Sequence, residues 1–466
     1  MSVLTPQERD FPAWYQDVIA KAQLAENGPV RGTMVIRPWG YAIWERLQAA
    51  IDERIKATGA RNAYFPLLIP EAFMRREAEH VEGFSPELAV VTHGGGKLLE
   101  EPAVIRPTSE TIVNYSFARW ISSYRDLPLL INQWANVVRW ELRTRIFIRS
   151  SEFLWQEGHT AHATREEAHA YALRILDEVY AEAMVHELAI PVFRGRKTER
   201  EKFAGADITW SCEGVMRDGK ALQMGTSHEL GQNFARAFGI QFSDREGQLR
   251  HVWQTSWGAT TRLLGAMIMV HGDDHGLRIP PRLAPTQVVV LVARAGEGVI
   301  KTASAVVAEL ERLGVRVELD DRVEVSLGRR IIDHELRGVP IRIEVGPRDI
   351  AAGQAVVARR ARTEKDTLPL GALGKVPRML EEDQSELLTQ ATTLRDTRTR
   401  SAISLDEARE LAGDGFARLP WPAVGEDGET RLAHAGVSVR CLVREDGEPV
   451  DDPGADRVDA IVARAY

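Results

Sequence analysis

Three polar stretches between Arg106 and His162 constrain the fold of this chain more than any other part of its sequence. They read Arg-Pro-Thr-Ser-Glu at residues 106–110, Arg-Trp-Glu at residues 139–141 and Trp-Gln-Glu-Gly-His at residues 155–159. Charged groups are rarely buried unless they are paired. The fold must therefore either expose these stretches to solvent or gather them around a ligand.

The third stretch has the spacing of a strand. Trp155, Glu157 and His159 lie two residues apart, so an extended backbone directs an aromatic ring, a carboxylate and an imidazole to one side. Thr108 and Glu110 repeat this spacing upstream. Two carboxylates beside aromatic surface suit a small ligand with a positive amine and an apolar body. The alternative is a half-buried strand whose acids pair with nearby arginines.

Arginines alternate through the second stretch. Arg139, Glu141, Arg143 and Arg145 each stand two residues apart, which predicts a strand with one charged face. Guanidinium groups hold phosphate oxygens bidentately, and Glu141 is placed to fix the rotamer of Arg139. A polyphosphate ligand fits such a face, and a solvated edge strand is the alternative.

Two further stretches carry candidate ligand contacts. Residues 219–228 form an apolar pattern that ends in polar groups, which predicts a strand followed by a helix from Glu229. Gln223, Thr226 and His228 are its candidate ligand contacts.

Residues 256–262 predict a second passage from strand to helix, with Arg262 in the first helical turn. The helix dipole disfavours a cation there unless an anion compensates, so Arg262 is expected to face phosphate. The alternative is an arginine paired with an acid elsewhere in the chain.

Taken in order along the chain, these stretches resemble the class II aminoacyl-tRNA synthetases, and within them the prolyl-tRNA synthetases of the archaeal and eukaryotic-like type. Residues 40–66 resemble the first class II motif, a helix and strand at a dimer interface that end in a proline. Residues 139–157 resemble the second motif, and Arg262 with Gly265 the third. The similarity to the prolyl branch lies in residues 106–110, 155–159 and 225–228.

The resemblance implies a site with two parts. Arg139 and Arg262 would be catalytic, because both would stabilise the charge that develops on phosphate during activation. The residues that would bind ATP are Arg139, Glu141, Arg149, Ser150, Gln223, Thr226, Thr260 and Arg262. Those that would enclose proline are Thr108, Glu110, Trp155, Glu157, His159, Phe203 and His228.

The same resemblance implies the reaction and the partners. The chain is expected to activate L-proline with ATP and Mg²⁺, and to transfer the prolyl group to the 3′ end of tRNA(Pro) as a cytoplasmic homodimer joined through the first motif. A synthetase for another small amino acid would keep the arginines but change Thr108, Glu110 and His159. A regulatory tRNA-binding relative would have lost Arg139 or Arg262, and both are present.

The overall charge limits how tRNA can bind. The formal net charge is −8, so binding is expected to depend on local basic surface. Arg359, Arg360 and Arg362 form one candidate patch, although such runs are often simply solvated. Residues 1–16 lack the apolar core of a signal peptide, and no apolar run in the sequence is long enough to span a membrane.

Prolines at 280, 281 and 285 predict the end of a first domain, residues 1–282, for which the resemblance implies the antiparallel-sheet catalytic fold of class II synthetases. In the second domain, residues 283–378, strands at 288–292, 315–319 and 341–345 alternate with helical patterns, which predicts a parallel or mixed α/β sheet. The resemblance makes this an anticodon-binding domain. The residues expected near the anticodon are Arg342, Glu344 and Arg348.

Residues 379–466 are expected to form a small C-terminal α/β domain, which makes the whole chain a multidomain fold of α/β and α+β class. The sequence ends at Tyr466, which resembles a terminal tyrosine of the family and is expected to dock towards the active site. The alternative is a frayed tail.

The family's C-terminal domain often holds zinc through four cysteines, but this sequence has two, Cys212 and Cys441. Residues 419–424 and 448–451 stand where the metal ligands are expected. The domain is therefore expected to fold without zinc. The side chains expected to form its core are Phe416, Leu419, Trp421 and Val439.

We predict that purified protein contains no stoichiometric zinc, because the ligand set is missing. Elemental analysis should find less than one zinc per chain, and a chelator should leave the melting temperature unchanged, since a structural zinc contributes folding energy directly. One tightly held zinc per chain, with His434 as the nearest candidate ligand, would contradict this.

Overall fold

Most strands of this protein belong to two sheets, one of eleven and one of five strands among the described residues. The computed structural model describes residues 3–74, 88–141, 143–362 and 364–466. Its strands are β1 (Ala25–Asn27), β2 (Met34–Ile36), β3 (Arg61–Asn62), β4 (Leu68–Pro70), β5 (Ala89–Gly94), β6 (Lys97–Ile105), β7 (Leu129–Val138), β8 (Glu152–His162), β9 (Val192–Arg196), β10 (Ile208–Val215), β11 (Ala221–Gly231), β12 (Gln241–Ser243), β13 (Leu249–His251), β14 (Trp253–Thr260), β15 (Val288–Val292), β16 (Val317–Asp320), β17 (Ile341–Val345), β18 (Gln354–Arg359), β19 (Lys365–Pro369), β20 (Thr399–Ser401), β21 (Phe416–Pro420), β22 (Ser438–Arg444) and β23 (Val458–Ala463).

Helices cover these sheets. Those with described bounds are α1 (Phe11–Lys21), α2 (Pro38–Ala57), α3 (Glu110–Trp120), α4 (Arg165–Arg174), α5 (Glu182–His186), α6 (Asn233–Phe238), α7 (Arg262–His271), α8 (Val299–Arg312), α9 (Leu327–Arg337), α10 (Pro347–Ala351), α11 (Val376–Arg398), α12 (Leu405–Leu411) and α13 (Trp421–His434). A π-helix at Ile175–Ala181 joins α4 to α5, and 3₁₀ turns lie at Tyr124–Asp126 and Leu370–Lys375. None of the described helices is long and apolar enough to cross a membrane.

The pocket-bearing strands lie in the middle of one large sheet. Among the described residues this sheet has eleven strands in the order β20-β21-β23-β22-β9-β10-β11-β14-β8-β7-β3. Its central pairs are antiparallel: β8 pairs with β7 on one side and with β14 on the other, and β14 pairs with β11. The antiparallel catalytic sheet expected from the sequence is present, and the side chains of four neighbouring strands share one face.

The main core lies between this sheet and its helices. Helix α2 begins at Pro38, which suits the first helical turn, and its buried Ile43, Leu47 and Ile51 recur at helical spacing. Helix α7 is buried along its whole apolar length, except at Arg262. This burial fixes the position of the Arg262 backbone at the end of β14.

The second sheet matches its prediction. Strands β16, β15 and β17 are parallel, while β18 and β19 add antiparallel strands on one edge, which makes a mixed sheet. Its core includes Val290, Ile343 and Leu310 from both sheet and helix. The α/β alternation of the sequence therefore identified these elements, because Val288–Val292 is an apolar run and Ile341–Val345 has apolar residues at every second position.

The C-terminal segment, residues 399–466, extends the catalytic sheet instead of forming a sheet of its own. Strand β22 contacts β9 where Leu442 lies opposite Arg196. The segment nevertheless has a hydrophobic cluster of its own, which contains Leu419 and Val439, with Trp421 packed against its edge. Phe416 belongs instead to a smaller cluster shared with Val215 of β10. The division of the chain at residues 282 and 378 remains a prediction.

The structure contradicts the predicted strand through Arg139 and Arg145. Strand β7 ends at Val138 and β8 begins at Glu152, so these arginines lie in the connecting loop. The chain reverses direction there, because the N–H of Arg145 donates to the carbonyl of Arg149 at 2.6 Å and the N–H of Arg149 donates back at 2.9 Å. Alternation alone does not make a strand when the backbone turns.

Two smaller predictions are also wrong. The helix expected from Glu229 begins at Asn233, because β11 continues to Gly231 and Glu229 pairs with Thr255 of β14. Thr108 and Glu110 do not continue a strand, since Glu110 is the first residue of α3. Their side chains still approach each other, but across a helix N-terminus.

The expected basic patch is largely neutralised. Arg359 is buried and donates to Asp383 at 2.7 Å and to Glu382 at 3.0 Å. Arg360 pairs with Asp273 of the catalytic part. Two of the three arginines are therefore structural, and only Arg362 is exposed enough to face tRNA.

We predict that Arg359→Met lowers the free energy of unfolding by about 3–5 kcal/mol, because it leaves the buried carboxylate of Asp383 without its cation. Urea denaturation measures this. Arg378→Gln is a matched control, since Arg378 pairs with Glu382 on the surface at 86% exposure and such pairs contribute at most about 1 kcal/mol. Equal stability of the two variants would contradict the prediction.

Candidate active site

The large sheet and the loop between β7 and β8 enclose a cavity of about 250 Å³. All the side chains that the sequence assigned to the amino acid and to ATP line this cavity. Their individual roles remain predictions. Sequence reasoning missed further lining residues, among them Phe153, Glu201, Thr209, Ser256 and Trp257. Phe153 and Ser256 follow the same two-residue spacing as Trp155 and Thr260, so that signal was available, whereas Glu201 lies in a loop without a periodic pattern.

Glu157 organises one end of the cavity. Its Oε1 accepts hydrogen bonds from the hydroxyl of Ser109 and from Nε2 of Gln133 at 2.8 Å, and its Oε2 lies 3.2 Å from Nε2 of His159. The Thr108 hydroxyl donates to Glu110 in the same region. Strand β8 and the start of α3 thus bring two buried carboxylates together.

The protonation states follow from these contacts. Burial would raise the pKa of Glu157, but the hydrogen bond and charge of His159 and the donors from Ser109 and Gln133 hold it below its usual range. Burial would lower the pKa of His159, but the hydrogen bond with Glu157 and the charges of Glu110 and Glu157 outweigh this effect and raise it. Ionisation of Glu157 and protonation of His159 therefore favour each other at this end of the cavity.

His228 is different. Its burial, together with the charge of His159, lowers its pKa to about 3. Its Nδ1 lies 3.0 Å from the hydroxyl of Thr209, and its ring lies 4.7 Å from the ring of Phe203. His228 is consequently a neutral wall of the cavity.

Gly158 lies between Glu157 and His159 and faces the other side of β8. A Cβ atom added to Gly158 would lie 2.1 Å from the indole of Trp257, which is opposite it on β14. Glycine is therefore required in the Trp-Gln-Glu-Gly-His stretch because an aromatic ring covers the backbone there.

Main-chain oxygens hold the two central arginines at the other end. Arg139 donates from Nε to the carbonyl of Pro107 at 3.0 Å, and its guanidinium lies 5.4 Å from the ring of Trp155. Arg262 donates to the carbonyls of Ile148 at 3.1 Å and Gln223 at 3.3 Å. Among the described residues, no carboxylate lies within ion-pair distance of either guanidinium.

These two cations disfavour each other. Burial, followed by the charge of Arg139, lowers the pKa of Arg262 to about 10. Burial likewise lowers the pKa of Arg139, and the more distant charges of Glu110 and Glu157 oppose the shift only in part. A bound anion between them would relieve both costs, so this end of the cavity is built for phosphate or carboxylate.

Glu141 does not fix Arg139 as the sequence suggested. Its Oε2 accepts from Nε of Arg149 at 2.6 Å instead. The turn at Arg145 and Arg149 folds the loop back, so Arg149 rather than Arg139 comes beside Glu141. Both side chains of the pair line the mouth of the cavity.

A bulge aligns the contacts from β11. Strand β10 opposes Gly225 with Cys212 and Gln223 with Glu213, which leaves Met224 as an extra residue. Gln223 and Thr226, three residues apart, therefore face the same cavity, which a regular strand would not allow.

Two buried polar atoms of the cavity wall are candidates to bind a ligand. Nε1 of Trp155 and Oγ of Ser256 are buried and make no hydrogen bond to the described residues. Both residues line the cavity. Buried polar atoms normally find partners, so these two are candidates to bind a ligand.

The predicted anticodon residues lie apart from this cavity. Arg342 and Glu344 are buried in β17 and bonded to each other at 2.9 Å, and Arg342 also donates to Glu335 at 3.1 Å. Lys365 covers Glu344 at 2.9 Å. Arg348 in α10 is exposed. Of the three, Arg348 is the side chain that faces solvent.

The last residue of the sequence docks beside the active-site loop. The N–H of Tyr466 donates to the carbonyl of Ala221, and its hydroxyl donates to Asp218 at 2.6 Å. The Tyr466 ring lies 5.2 Å from the guanidinium of Arg145 and 4.8 Å from the ammonium of Lys220. The tail is therefore packed against the loop that carries Arg139.

Comparisons with known proteins agree with this architecture. Residues 97–271 match the model of the tRNA synthetase class II core domain (G, H, P, S and T), and residues 287–378 match the anticodon binding domain. A proline–tRNA ligase of Frankia casuarinae is 60% identical over 100% of both chains. The chloroplastic and mitochondrial proline–tRNA ligase of Arabidopsis thaliana is 52% identical over 94% of this chain and 83% of its own.

A solved structure is similar throughout. The crystal structure of prolyl-tRNA synthetase from Cryptosporidium parvum, complexed with halofuginone and AMPPNP, superposes with a TM-score of 0.93 at 40% identity, covering 100% of this chain and 99% of its own. Core and anticodon models place the chain among the class II aminoacyl-tRNA synthetases. Within that class it belongs to the proline–tRNA ligase family.

We predict that deleting Ala465 and Tyr466 slows amino-acid activation about two- to fivefold, because the loss of one cation–π contact, worth about 0.5–1 kcal/mol, frees Arg145 and its loop. ATP–pyrophosphate exchange measures this, and affinity for the anticodon stem-loop should not change. Arg464→Ala is the control, since its side chain is exposed. An exchange rate unchanged by the deletion would show that the docked ring has no effect on activation.

Proposed function

We propose that the cavity activates L-proline, with the nucleotide phosphates at the Arg139 and Arg262 end and the amino acid at the Glu157 end. The observation that carries this assignment is the pair of partly buried guanidinium groups of Arg139 and Arg262. Main-chain carbonyls position them, and no carboxylate of the described residues lies within ion-pair distance of either. The overall reaction is that of the family: ATP-dependent formation of prolyl-adenylate, followed by charging of tRNA(Pro).

In the first step, a carboxylate oxygen of proline attacks the α-phosphorus of ATP in line with the bond to the bridging oxygen. That bond breaks, and pyrophosphate leaves with the electron pair. Arg139 would contact the proline carboxylate and the α-phosphate together, and Arg262 would contact the phosphates. Fixed cations in a water-poor site stabilise the additional charge of the transition state without reorganisation.

The amino acid fits the acidic end. Glu110 and Glu157 would attract the ammonium of proline, and the orphan Nε1 of Trp155 supplies a donor in the same cavity. The rings of Trp155, Phe203 and His228 would enclose the pyrrolidine ring. The low pKa of His228 keeps its ring neutral, and a charged ring at this position would repel the amine of proline.

ATP would bind through the remaining cavity residues, which are Glu141, Arg149, Ser150, Gln223, Thr226 and Thr260. Mg²⁺ bound to the phosphates would offset their negative charge during attack. The described residues hold no cluster of three or more acidic, histidine or cysteine ligands, and magnesium usually keeps water and phosphate ligands. The residues therefore fit an ion held chiefly by ATP, with Glu141 as the carboxylate at the cavity mouth.

In the second step, a hydroxyl of the terminal ribose of tRNA(Pro) attacks the carbonyl carbon of prolyl-adenylate, and AMP leaves. Recognition of the anticodon is assigned to the mixed sheet that matches the anticodon binding domain. The exposed Arg348 is the residue able to reach a base directly, while Arg342 and Glu344 would act from behind it. Arginine can hold two acceptors on guanine, which occurs in proline anticodons.

A homodimer is supported by exposed apolar surface near the first class II motif. Tyr64 is 74% exposed, Leu98 72% and Trp120 50%. Tyr64 lies two residues after β3, and the ring of Trp120 lies 5.9 Å from that of Phe65. Exposed large apolar side chains of this kind are typical of an interface. We assign the second copy of this chain to that surface, and a cytoplasmic location in keeping with its tRNA substrate.

We predict that Arg139→Ala reduces proline-dependent ATP–pyrophosphate exchange by a factor of about 100 or more, because one electrostatic contact to a transition state contributes on the order of 3 kcal/mol. The fold should survive, since Arg139 donates to a single main-chain carbonyl. Arg312→Ala, on the surface of α8, is the matched control. Near-normal exchange by folded Arg139→Ala would overturn the catalytic assignment.

We predict that Glu157→Gln and Glu110→Gln raise the KM for proline about tenfold or more and change the KM for ATP little, because each removes a charge that would bind the amine. Glu141→Gln should show the opposite preference, since it lies at the ATP end. Exchange assays with each substrate varied in turn distinguish these outcomes. Equal losses for proline and ATP in the Glu157 variant would indicate a structural role.

A further inference from the structure

The loop between β9 and β10, residues 197–207, joins the active site to the C-terminal segment. Its middle brings Glu201 and Phe203 to the cavity. Phe203 packs its ring against His228, and its N–H donates to the Thr209 hydroxyl at 2.9 Å. The position of this wall of the cavity therefore depends on how the loop is held.

Side chains of the C-terminal segment hold the start of the loop. Lys197 and Thr198 are both buried. Nζ of Lys197 donates to the carbonyl of Arg440 at 2.6 Å, and the Thr198 hydroxyl donates to Oε1 of Glu429 at 2.5 Å. Within the loop, the N–H groups of Glu201 and Lys202 donate to the carbonyl of Thr198 at 3.1 and 2.9 Å. Thr198 thus connects Glu429 to the backbone turn that precedes Phe203.

A buried charge network reinforces this connection. Glu213 of β10 is fully buried and accepts from Lys197 at 2.7 Å and from Arg440 at 3.0 Å. Two cations around one carboxylate leave an excess positive charge, and Glu201 at the cavity rim, 4.0 Å from Arg440, balances it. The charge of Arg440 therefore attracts the loop as well as Glu213.

The network also reaches the arginine end of the cavity. Glu213 lies opposite Gln223 on β11, and the carbonyl of Gln223 accepts from Arg262. One face of the C-terminal segment is thus linked to both ends of the site.

We propose that the C-terminal segment positions the wall of the amino-acid pocket, with Glu429 and Arg440 holding the loop so that Phe203 closes on the ligand. This inference rests on the proposed function of the cavity. Thr198, Glu429 and Arg440 are positioning residues, since they act through the loop and do not touch the substrate. The segment thereby sets the affinity for proline, in addition to its part in folding.

The test uses Thr198→Val, which keeps the size of the side chain but removes the hydroxyl. We expect the KM for proline to rise about fivefold or more, because the bond to a buried carboxylate is lost, while the KM for ATP stays within twofold. Thr198→Ser should restore the wild-type KM for proline. Arg418→Gln is the matched control, because it removes an ion pair with Asp459 inside the same segment without touching the loop.

Glu429→Ala tests the same bond from its other side. It should raise the KM for proline in the same direction as Thr198→Val. The double variant should be no worse than Thr198→Val alone, because that variant already removes the bond to Glu429 together with the bond from the N–H of Glu201 to the Thr198 hydroxyl at 3.3 Å. Proline KM values within twofold of wild type in both single variants would overturn the proposal. So would equal increases in the KM for proline and for ATP, which indicate general loosening of the fold.

Amide hydrogen exchange distinguishes this proposal from the function on which it rests. Without any substrate, Glu201, Lys202 and Phe203 should exchange faster in Thr198→Val than in wild type. Unchanged protection would overturn the anchoring of the loop even if wild type activates proline. Absence of proline-dependent exchange activity in wild type would instead overturn the proposed function, while the protection data would still decide how the loop is held.

Discussion

The site depends on two partly buried cations that main-chain carbonyls hold beyond ion-pair distance of every carboxylate in the described part of the chain. Arg139 is fixed by the carbonyl of Pro107, and Arg262 by the carbonyls of Ile148 and Gln223. Carbonyl dipoles orient a guanidinium but do not cancel its charge, so a bound anion is stabilised by both groups. Because the carbonyls come from separate parts of the chain, the loop after β7, the bulge in β11 and the burial of α7 must all be correct for the cations to converge.

The opposite end of the cavity carries the complementary charge, from carboxylates. Donors from Ser109, Gln133 and His159 favour the ionised form of Glu157, and the carboxylates of Glu157 and Glu110 favour protonation of His159. Gly158 lets the Trp257 indole lie directly on the strand. The cavity therefore has an anionic, aromatic end and a cationic end on one sheet. A zwitterionic amino acid and a polyphosphate can bind side by side in such a site.

The sequence predicted correctly those strands in which the spacing of the residues matches the burial of their side chains. Val288–Val292 and Ile341–Val345 were identified to the residue, because the first is a continuous apolar run and the second alternates apolar residues with Arg342 and Glu344. Trp155, Glu157 and His159 share a face because β8 is regular. The polar lining of the cavity was accessible to sequence reasoning for the same reason.

Features that depend on distant partners were not predictable in this way. The alternation at Arg139 to Arg145 has the period of a strand, but the backbone turns there and Glu141 pairs with Arg149. Arg359 and Arg360 resemble a surface patch, yet Asp383 and Asp273 neutralise them from other parts of the chain. Glu201 enters the cavity from a loop whose position is set by residues more than 200 positions away in sequence.

A cavity with paired arginines at one end and paired carboxylates at the other should activate proline. ATP–pyrophosphate exchange by the wild-type protein, measured against a panel of amino acids that includes proline, alanine, threonine and glycine, tests it most directly. Proline should support the fastest exchange, with a kcat/KM far above that of the other amino acids. Faster exchange with threonine or glycine, or no exchange with any amino acid by folded protein, would contradict it.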